Sequence, residues 1–101
     1  MKILVLICSV VISLNIFSQD VVKGQALYST CIQCHGEKGL GLKEKEAPMI
    51  AGQYDWYIES SIIAFREGKD RKNPAMLPYI KNLSVQDIKD LAAYVSKMPT
   101  K

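Results

Sequence analysis

The segment Cys31-Ile32-Gln33-Cys34-His35 constrains this chain more than any other feature of its sequence. Two intervening residues place both thiols near one helical turn, as the two vinyl groups of a single porphyrin require. The adjacent His35 then projects an imidazole nitrogen toward the iron from the same face. This spacing is typical of covalent attachment of a c-type haem, and it predicts one such haem on this chain.

Other chemistries that use paired cysteines fit the sequence less well. A thioredoxin-like redox site belongs near a βαβ unit, and no alternating strand pattern is present. A zinc site needs a fourth ligand beyond Cys31, Cys34 and His35, yet the chain has no second histidine and no second cysteine pair. A structural disulfide explains the two cysteines but not His35. Haem attachment is therefore the favoured interpretation.

Residues 1–18 differ in composition from the rest of the chain. They contain 13 apolar residues, and Lys2 is the only charged residue before Asp20. A positive start, an apolar run and a small residue at Ser18 predict a secretory signal peptide cleaved after Ser18. The alternative is an uncleaved membrane anchor, although the run is shorter than most spanning helices. The expected domains are a signal peptide at 1–18 and one haem-binding domain at 19–101, located in the periplasm.

The size and charge of the chain exclude several classes of function. At 101 residues it is too short for a barrel enzyme or a complete dinucleotide-binding domain. The formal net charge of +3 falls to +2 without Lys2, so no nucleic acid partner is expected. A domain of about 80 residues buries little core by itself, and a covalently attached cofactor would compensate for this.

Three segments are predicted to be helical, and no strand is predicted, so the expected fold class is all-α. The first helix starts near the capping residue Asp20, and the second runs from after Gly52 to Gly68. The third opens with the capping pattern Ser84-Val85-Gln86-Asp87 and stops near Pro99. Apolar residues recur at helical spacing within the segments: Val22, Ala26, Leu27 and Tyr28; Tyr54, Tyr57, Ile58, Ile62 and Phe65; Ile88, Leu91, Ala92 and Val95.

The residues alone leave three methionines as alternatives for the second axial ligand of the iron. Met49, Met76 and Met98 all remain after removal of the leader. Met98 lies close to the chain end. Met76 lies within residues 73–78, an irregular loop with two prolines that cannot continue a helix. A stiff loop of this kind can hold a thioether against iron, whereas a methionine that only fills a gap in the core is the alternative.

The chain resembles the class I cytochromes c, especially their short bacterial mono-haem members. The resemblance covers essentially all of residues 19–101 and includes an ordered set of residues around the attachment motif. These are Gly24 and Tyr28, the Cys31-to-His35 motif, Ala47-Pro48-Met49-Ile50-Ala51-Gly52-Gln53, Phe65-Arg66-Glu67-Gly68, Leu83-Ser84 and Ala92-Ala93-Tyr94-Val95. The order of these residues supports the family assignment more strongly than the haem motif alone.

The resemblance implies roles for residues outside the motif. It places Met76 as the sixth iron ligand and Pro48 on the histidine side, where its carbonyl accepts the proton of the other His35 ring nitrogen. It also implies that Trp56 or Tyr57 hydrogen-bonds a haem propionate. Gly24 and Tyr28 are expected to cross Leu91 and Tyr94 as core residues.

The expected function follows from the ligands. Histidine and methionine together fill both axial positions, so no site remains for oxygen or a small-molecule substrate. The chain is therefore predicted to be an electron-transfer protein and not an enzyme, carrying single electrons between redox-partner proteins. The alternatives are a subunit of a larger oxidase or reductase, a pentacoordinate haem enzyme or sensor, and a thiol oxidoreductase.

Overall fold

The computed structural model describes residues 19–101, and the predicted leader at residues 1–18 lies outside the described residues. Five helices follow one another along this part of the chain: α1 Val21–Tyr28, α2 Ile32–His35, α3 Asp55–Glu67, α4 Leu77–Ile80 and α5 Val85–Ser96. Lys43–Lys45 form a single 3₁₀ turn. Residues 19–101 contain no β-strand, only an isolated bridge between Leu42 and Ala47. The all-α prediction is confirmed.

The ends of the three longer helices are set by local chemistry. The Asp20 side chain accepts a hydrogen bond from the Lys23 N–H at 3.1 Å and caps α1. At α5 the Ser84 hydroxyl accepts from the Asp87 N–H and the Asp87 carboxylate accepts from the Ser84 N–H, both at 3.0 Å. Helix α3 ends at Gly68, whose φ of 67° a glycine adopts without strain. These three helices lie where the sequence predicted them.

Helix α4 is a difference from the sequence prediction, which treated residues 73–78 as irregular loop. Only the first part of that segment is non-helical, since α4 begins at Leu77 with Pro78 in its first turn. An N–H in the first turn of a helix has no partner within the helix, so a proline there removes no hydrogen bond. The proline therefore begins this helix instead of preventing it.

Helices α1 and α5 cross each other at Gly24. A Cβ at this position would overlap the Asp90 carbonyl oxygen of α5 and lie 2.8 Å from the Tyr94 Cβ. The Tyr28 and Tyr94 rings pack against each other at the same crossing, with centroids 5.6 Å apart. The predicted contact of the small and aromatic residues of α1 with α5 is confirmed.

Helix α3 packs against both α5 and α4. The apolar residues that meet between the helices are buried: Tyr28, Ile58, Ile62, Ile80, Ile88, Leu91, Ala92 and Val95. None of the helices within residues 19–101 is long and apolar enough to cross a membrane.

Candidate functional site

A cavity of about 290 Å³ opens beside the core. Its wall is formed by α2, the segment 45–50, one face of α3, the segment leading into α4, and part of α5. Most of the wall is apolar: Ile50, Ile58, Ile62, Phe65, Ile80, Leu91 and Val95. The fold therefore leaves a slot suited to an apolar group with a few polar contacts.

Cys31, Cys34 and His35 all line this cavity, because α2 brings the motif to one edge of it. Both cysteines are free thiols. Burial raises the pKa of the Cys31 thiol, whereas a redox-active cysteine has a lowered pKa. Within residues 19–101, no three His, Cys, Asp or Glu side chains are grouped so as to hold a metal ion.

The His35 ring is fixed by a hydrogen bond. Its Nδ1 lies 3.0 Å from the Pro48 carbonyl oxygen. Since a carbonyl oxygen only accepts, the proton is on Nδ1, and Nε2 keeps a lone pair available to a metal. The contact between the Pro48 carbonyl and the His35 ring that the family resemblance implied is present in the structure.

The three methionines have different environments. Met98 is 8% exposed and packs near Gly39, away from the cavity. Met49 and Met76 both line the cavity. The backbone of Met49 directly follows Pro48, the residue bonded to His35, while Met76 comes from the separate segment before α4. Met98 is therefore not placed to bind a group in the cavity. Met49 lies next to Pro48, on the same side of the cavity as His35.

Trp56 does not reach the cavity. It is 62% exposed, stacks on Tyr54 with ring centroids 5.6 Å apart, and lies edge-on to Tyr57 at 6.0 Å. The residues of α3 that line the cavity are Tyr57, Ile58, Ser61, Ile62 and Phe65. At 100° per residue, Trp56 falls on the opposite side of the helix from the middle of this stripe. Of the two aromatic residues considered, Tyr57 is the one at the wall.

Arg71 lines the cavity, and the sequence analysis did not single it out. Its Nη1 donates to the Ser61 hydroxyl at 2.8 Å, and its guanidinium carbon lies 4.2 Å from the centre of the Phe65 ring. Within the described part of the chain it forms no ion pair. Arg71 lies in the charged run Lys69-Asp70-Arg71-Lys72, where no sequence signal distinguishes it from surface residues.

Tyr28 closes the α1 side of the cavity. It is 1% exposed, and its hydroxyl donates to the Gly36 carbonyl at 2.6 Å. Burial raises the pKa of Tyr28 to about 12. The hydroxyl therefore remains a hydrogen-bond donor at ordinary pH.

Known proteins are similar to this chain in both sequence and fold. The family model for cytochrome c matches residues 21–99. The chain is 42% identical over 79 residues to cytochrome c-554(548) of Halomonas halodenitrificans, an alignment that covers 76% of this chain and 94% of that protein. This chain belongs to the cytochrome c family. The match to a small bacterial cytochrome c confirms the class I assignment that the sequence resemblance implied.

Solved structures support the same fold for this cytochrome c. Reduced cytochrome c4 from Pseudomonas stutzeri matches with a TM-score of 0.70 and 26% identity, over 78% of this chain and 48% of that one. The thiosulfate dehydrogenase of Marichromatium purpuratum matches with a TM-score of 0.73 and 27% identity, over 78% of this chain and 19% of that one. This cytochrome c therefore spans about half or less of these structural relatives.

Family membership establishes the cofactor class as covalently attached haem c, with one haem for a chain of this length, and establishes electron transfer as the function. The cavity fits such a group. Two free thiols, an imidazole with an available Nε2, two thioethers, the Arg71 guanidinium and an apolar wall all meet there.

Proposed function

We propose that this cytochrome c carries single electrons between redox-partner proteins in the periplasm, with the haem attached through Cys31 and Cys34 and its iron bound by His35 and Met76. The bound haem would supply a one-electron couple. The observation that carries the proposal is the His35 imidazole, held by the Pro48 carbonyl with Nε2 free beside a cavity that both thiols and Met76 also line.

Each residue of the site has a separate role in holding the cofactor. Pro48 fixes the ring of His35 and increases its basicity as a ligand. Met76 would fill the remaining axial position and so exclude small molecules from the iron. The apolar wall lowers the local dielectric, which favours the less charged, ferrous state and raises the reduction potential. Arg71 would pair with a propionate carboxylate.

Replacing Met76 tests the ligand assignment. In Met76→Ala we expect a haem that remains attached but binds carbon monoxide rapidly when reduced. Its reduction potential should fall by roughly 100 mV, within the ~0.8 V range that axial ligands span. The measurements are stopped-flow carbon monoxide binding and voltammetry.

Met49→Ala is the matched control, because Met49 is the other thioether at the cavity wall. We expect its carbon monoxide binding and its potential to match those of the parent protein. The opposite pattern would make Met49 the ligand. Rapid carbon monoxide binding by the parent protein itself would favour a pentacoordinate haem enzyme or sensor.

A second candidate is a subunit of a larger oxidoreductase. It is favoured by the structural match to part of a thiosulfate dehydrogenase, of which this cytochrome c spans only 19%. Separating a native periplasmic extract by size distinguishes the two. A free carrier elutes near the mass of residues 19–101 alone, and a subunit elutes with a larger partner.

A further inference from the structure

We propose that Tyr28 is a positioning residue for the axial imidazole: its hydroxyl holds the backbone immediately after His35 and so couples the α1–α5 crossing to the iron ligand. This inference rests on the proposed function, because it takes His35 to be the ligand. It assigns to a core tyrosine a role that packing alone does not require, since phenylalanine would fill the same space.

The contact adds a side-chain link between α1 and the end of α2, which are otherwise joined by residues 29–31 and by the Cys31 N–H that donates to the Tyr28 carbonyl at 2.8 Å. Tyr28 is at the C-terminal end of α1, and its ring packs on Tyr94 of α5. Its hydroxyl reaches the carbonyl of Gly36, the residue that ends α2, at 2.6 Å. Gly36 directly follows His35. The two long crossing helices are thereby connected to the short helix that carries the imidazole.

The backbone around His35 is also held by hydrogen bonds of α2 and of the loop that follows it. The His35 N–H donates to the Cys31 carbonyl at 2.9 Å, and the Gly36 N–H donates to the Ile32 carbonyl at 2.8 Å. The His35 carbonyl accepts the Gly41 N–H at 2.8 Å, and the Gly36 carbonyl also accepts the Gly39 N–H at 3.1 Å. Both donors belong to the loop that follows α2. Of the hydrogen bonds to the His35 and Gly36 backbone, the one from the Tyr28 hydroxyl is the one whose donor lies in α1. This hydrogen bond therefore connects the loop after α2 to helix α1.

The ring and the backbone of His35 are held by the same loop region. Gly41, whose N–H donates to the His35 carbonyl, packs directly on the segment 45–50. A Cβ at Gly41 would lie 2.9 Å from the Pro48 carbonyl carbon and 2.8 Å from the Met49 nitrogen. A shift of the Gly36 carbonyl would thus move both the His35 backbone and the Pro48 carbonyl that accepts from Nδ1.

The test compares Tyr28→Phe with Tyr94→Phe in the reduced holoprotein. Both variants remove one hydroxyl from the same tyrosine pair, but only Tyr28 donates to Gly36. Exchange of the His35 Nδ1–H and of the Gly41 N–H with solvent is measured by NMR, relative to the Leu91 N–H of α5. The ratio to Leu91 removes any change in global stability.

In Tyr28→Phe we expect both ratios to rise by about fivefold, the factor that corresponds to about 1 kcal/mol for one hydrogen bond. In Tyr94→Phe we expect the ratios of the parent protein. Unchanged ratios in Tyr28→Phe, or equal changes in the two variants, would overturn the proposal. If the parent protein itself lacks the haem-shifted ring resonances of His35, the ligand assignment fails instead.

A measurement on the parent protein covers the case in which Tyr28→Phe does not accumulate. With isotope-labelled tyrosine, the Tyr28 hydroxyl proton is expected to exchange as slowly as a buried amide, because it is donated to Gly36 inside the core. A Tyr28 hydroxyl proton in rapid exchange with solvent would contradict the proposal.

Discussion

Arg71 is a cation held against an apolar wall, and such a placement costs free energy unless an anion lies nearby. Ser61 and Phe65 fix the guanidinium, and neither is charged. Arg71 forms no ion pair within residues 19–101, and the propionates of a bound haem would supply anions at this wall. The arrangement explains why an arginine is tolerated at this wall.

Replacing Arg71 by glutamine should lower the reduction potential. A nearby positive charge favours the reduced state of the iron, so its loss favours the oxidised state. At an interaction of about 1 kcal/mol, the shift for a one-electron couple is roughly 40 mV. Voltammetry of Arg71→Gln measures this shift.

Arg66→Gln is the control for this change. Arg66 is also near the end of α3, but it donates to the Leu83 carbonyl at 2.6 Å and does not line the cavity. We expect Arg66→Gln to lower the free energy of unfolding and to leave the reduction potential close to that of the parent protein. Equal potentials in both variants and the parent would place the propionates away from Arg71.

At the scale of elements, the crossing of α1 and α5 is decided by one glycine. A glycine within a helix costs about 1 kcal/mol relative to alanine, so α1 gives up stability of its own at Gly24. In return the two backbones approach closely enough to bury Tyr28 beside Tyr94. Packing between the helices outweighs the helix propensity of α1.

Gly24→Ala tests this balance. The added Cβ meets the Asp90 backbone, which cannot rotate away, so the helices must separate. We expect the free energy of unfolding of the holoprotein to fall by about 1–3 kcal/mol. Chemical denaturation followed by absorbance and circular dichroism provides the measurement.

Gln25→Ala, at an exposed position of the same helix, serves as the control and should change stability by less than about 0.5 kcal/mol. A stabilised Gly24→Ala would show that helix propensity, and not the close approach, decides this position.

In the whole molecule, some helices contact each other directly, whereas other parts of the chain face the core across the cavity. Helices α1 and α3 each contact α5 directly. Helix α2 and the segments 45–50 and 71–76 instead meet much of the core across the cavity. These parts depend on the group that fills it, because a small domain has few other apolar contacts to hold them.

Removing the haem should therefore disorder much of the chain. In Cys31→Ala combined with Cys34→Ala, produced without haem, we expect most of the helical circular dichroism to be lost. We also expect no cooperative thermal transition, whereas the holoprotein should unfold cooperatively. A cooperative transition in the haem-free chain would show that the helices form a sufficient core by themselves.

Features that depend on neighbours along the chain were predictable from the amino-acid sequence. The capping residues Asp20, Ser84 and Asp87 and the terminating Gly68 depend on bonds or dihedral angles within a few residues. The starts of α1 and α5 and the end of α3 were therefore predicted from the sequence. The motif ending in His35 predicted the cofactor for the same reason, since two residues between cysteines fix their separation.

Which side chains share the cavity depends on the assembled fold. Met98 is turned into the core, Trp56 faces away from the slot, and Arg71 faces into it, although nothing adjacent to them in sequence distinguishes these outcomes. Which face of a helix or loop is covered depends on elements that are distant in the chain. Packing of that kind is set by the assembled fold and not by local spacing.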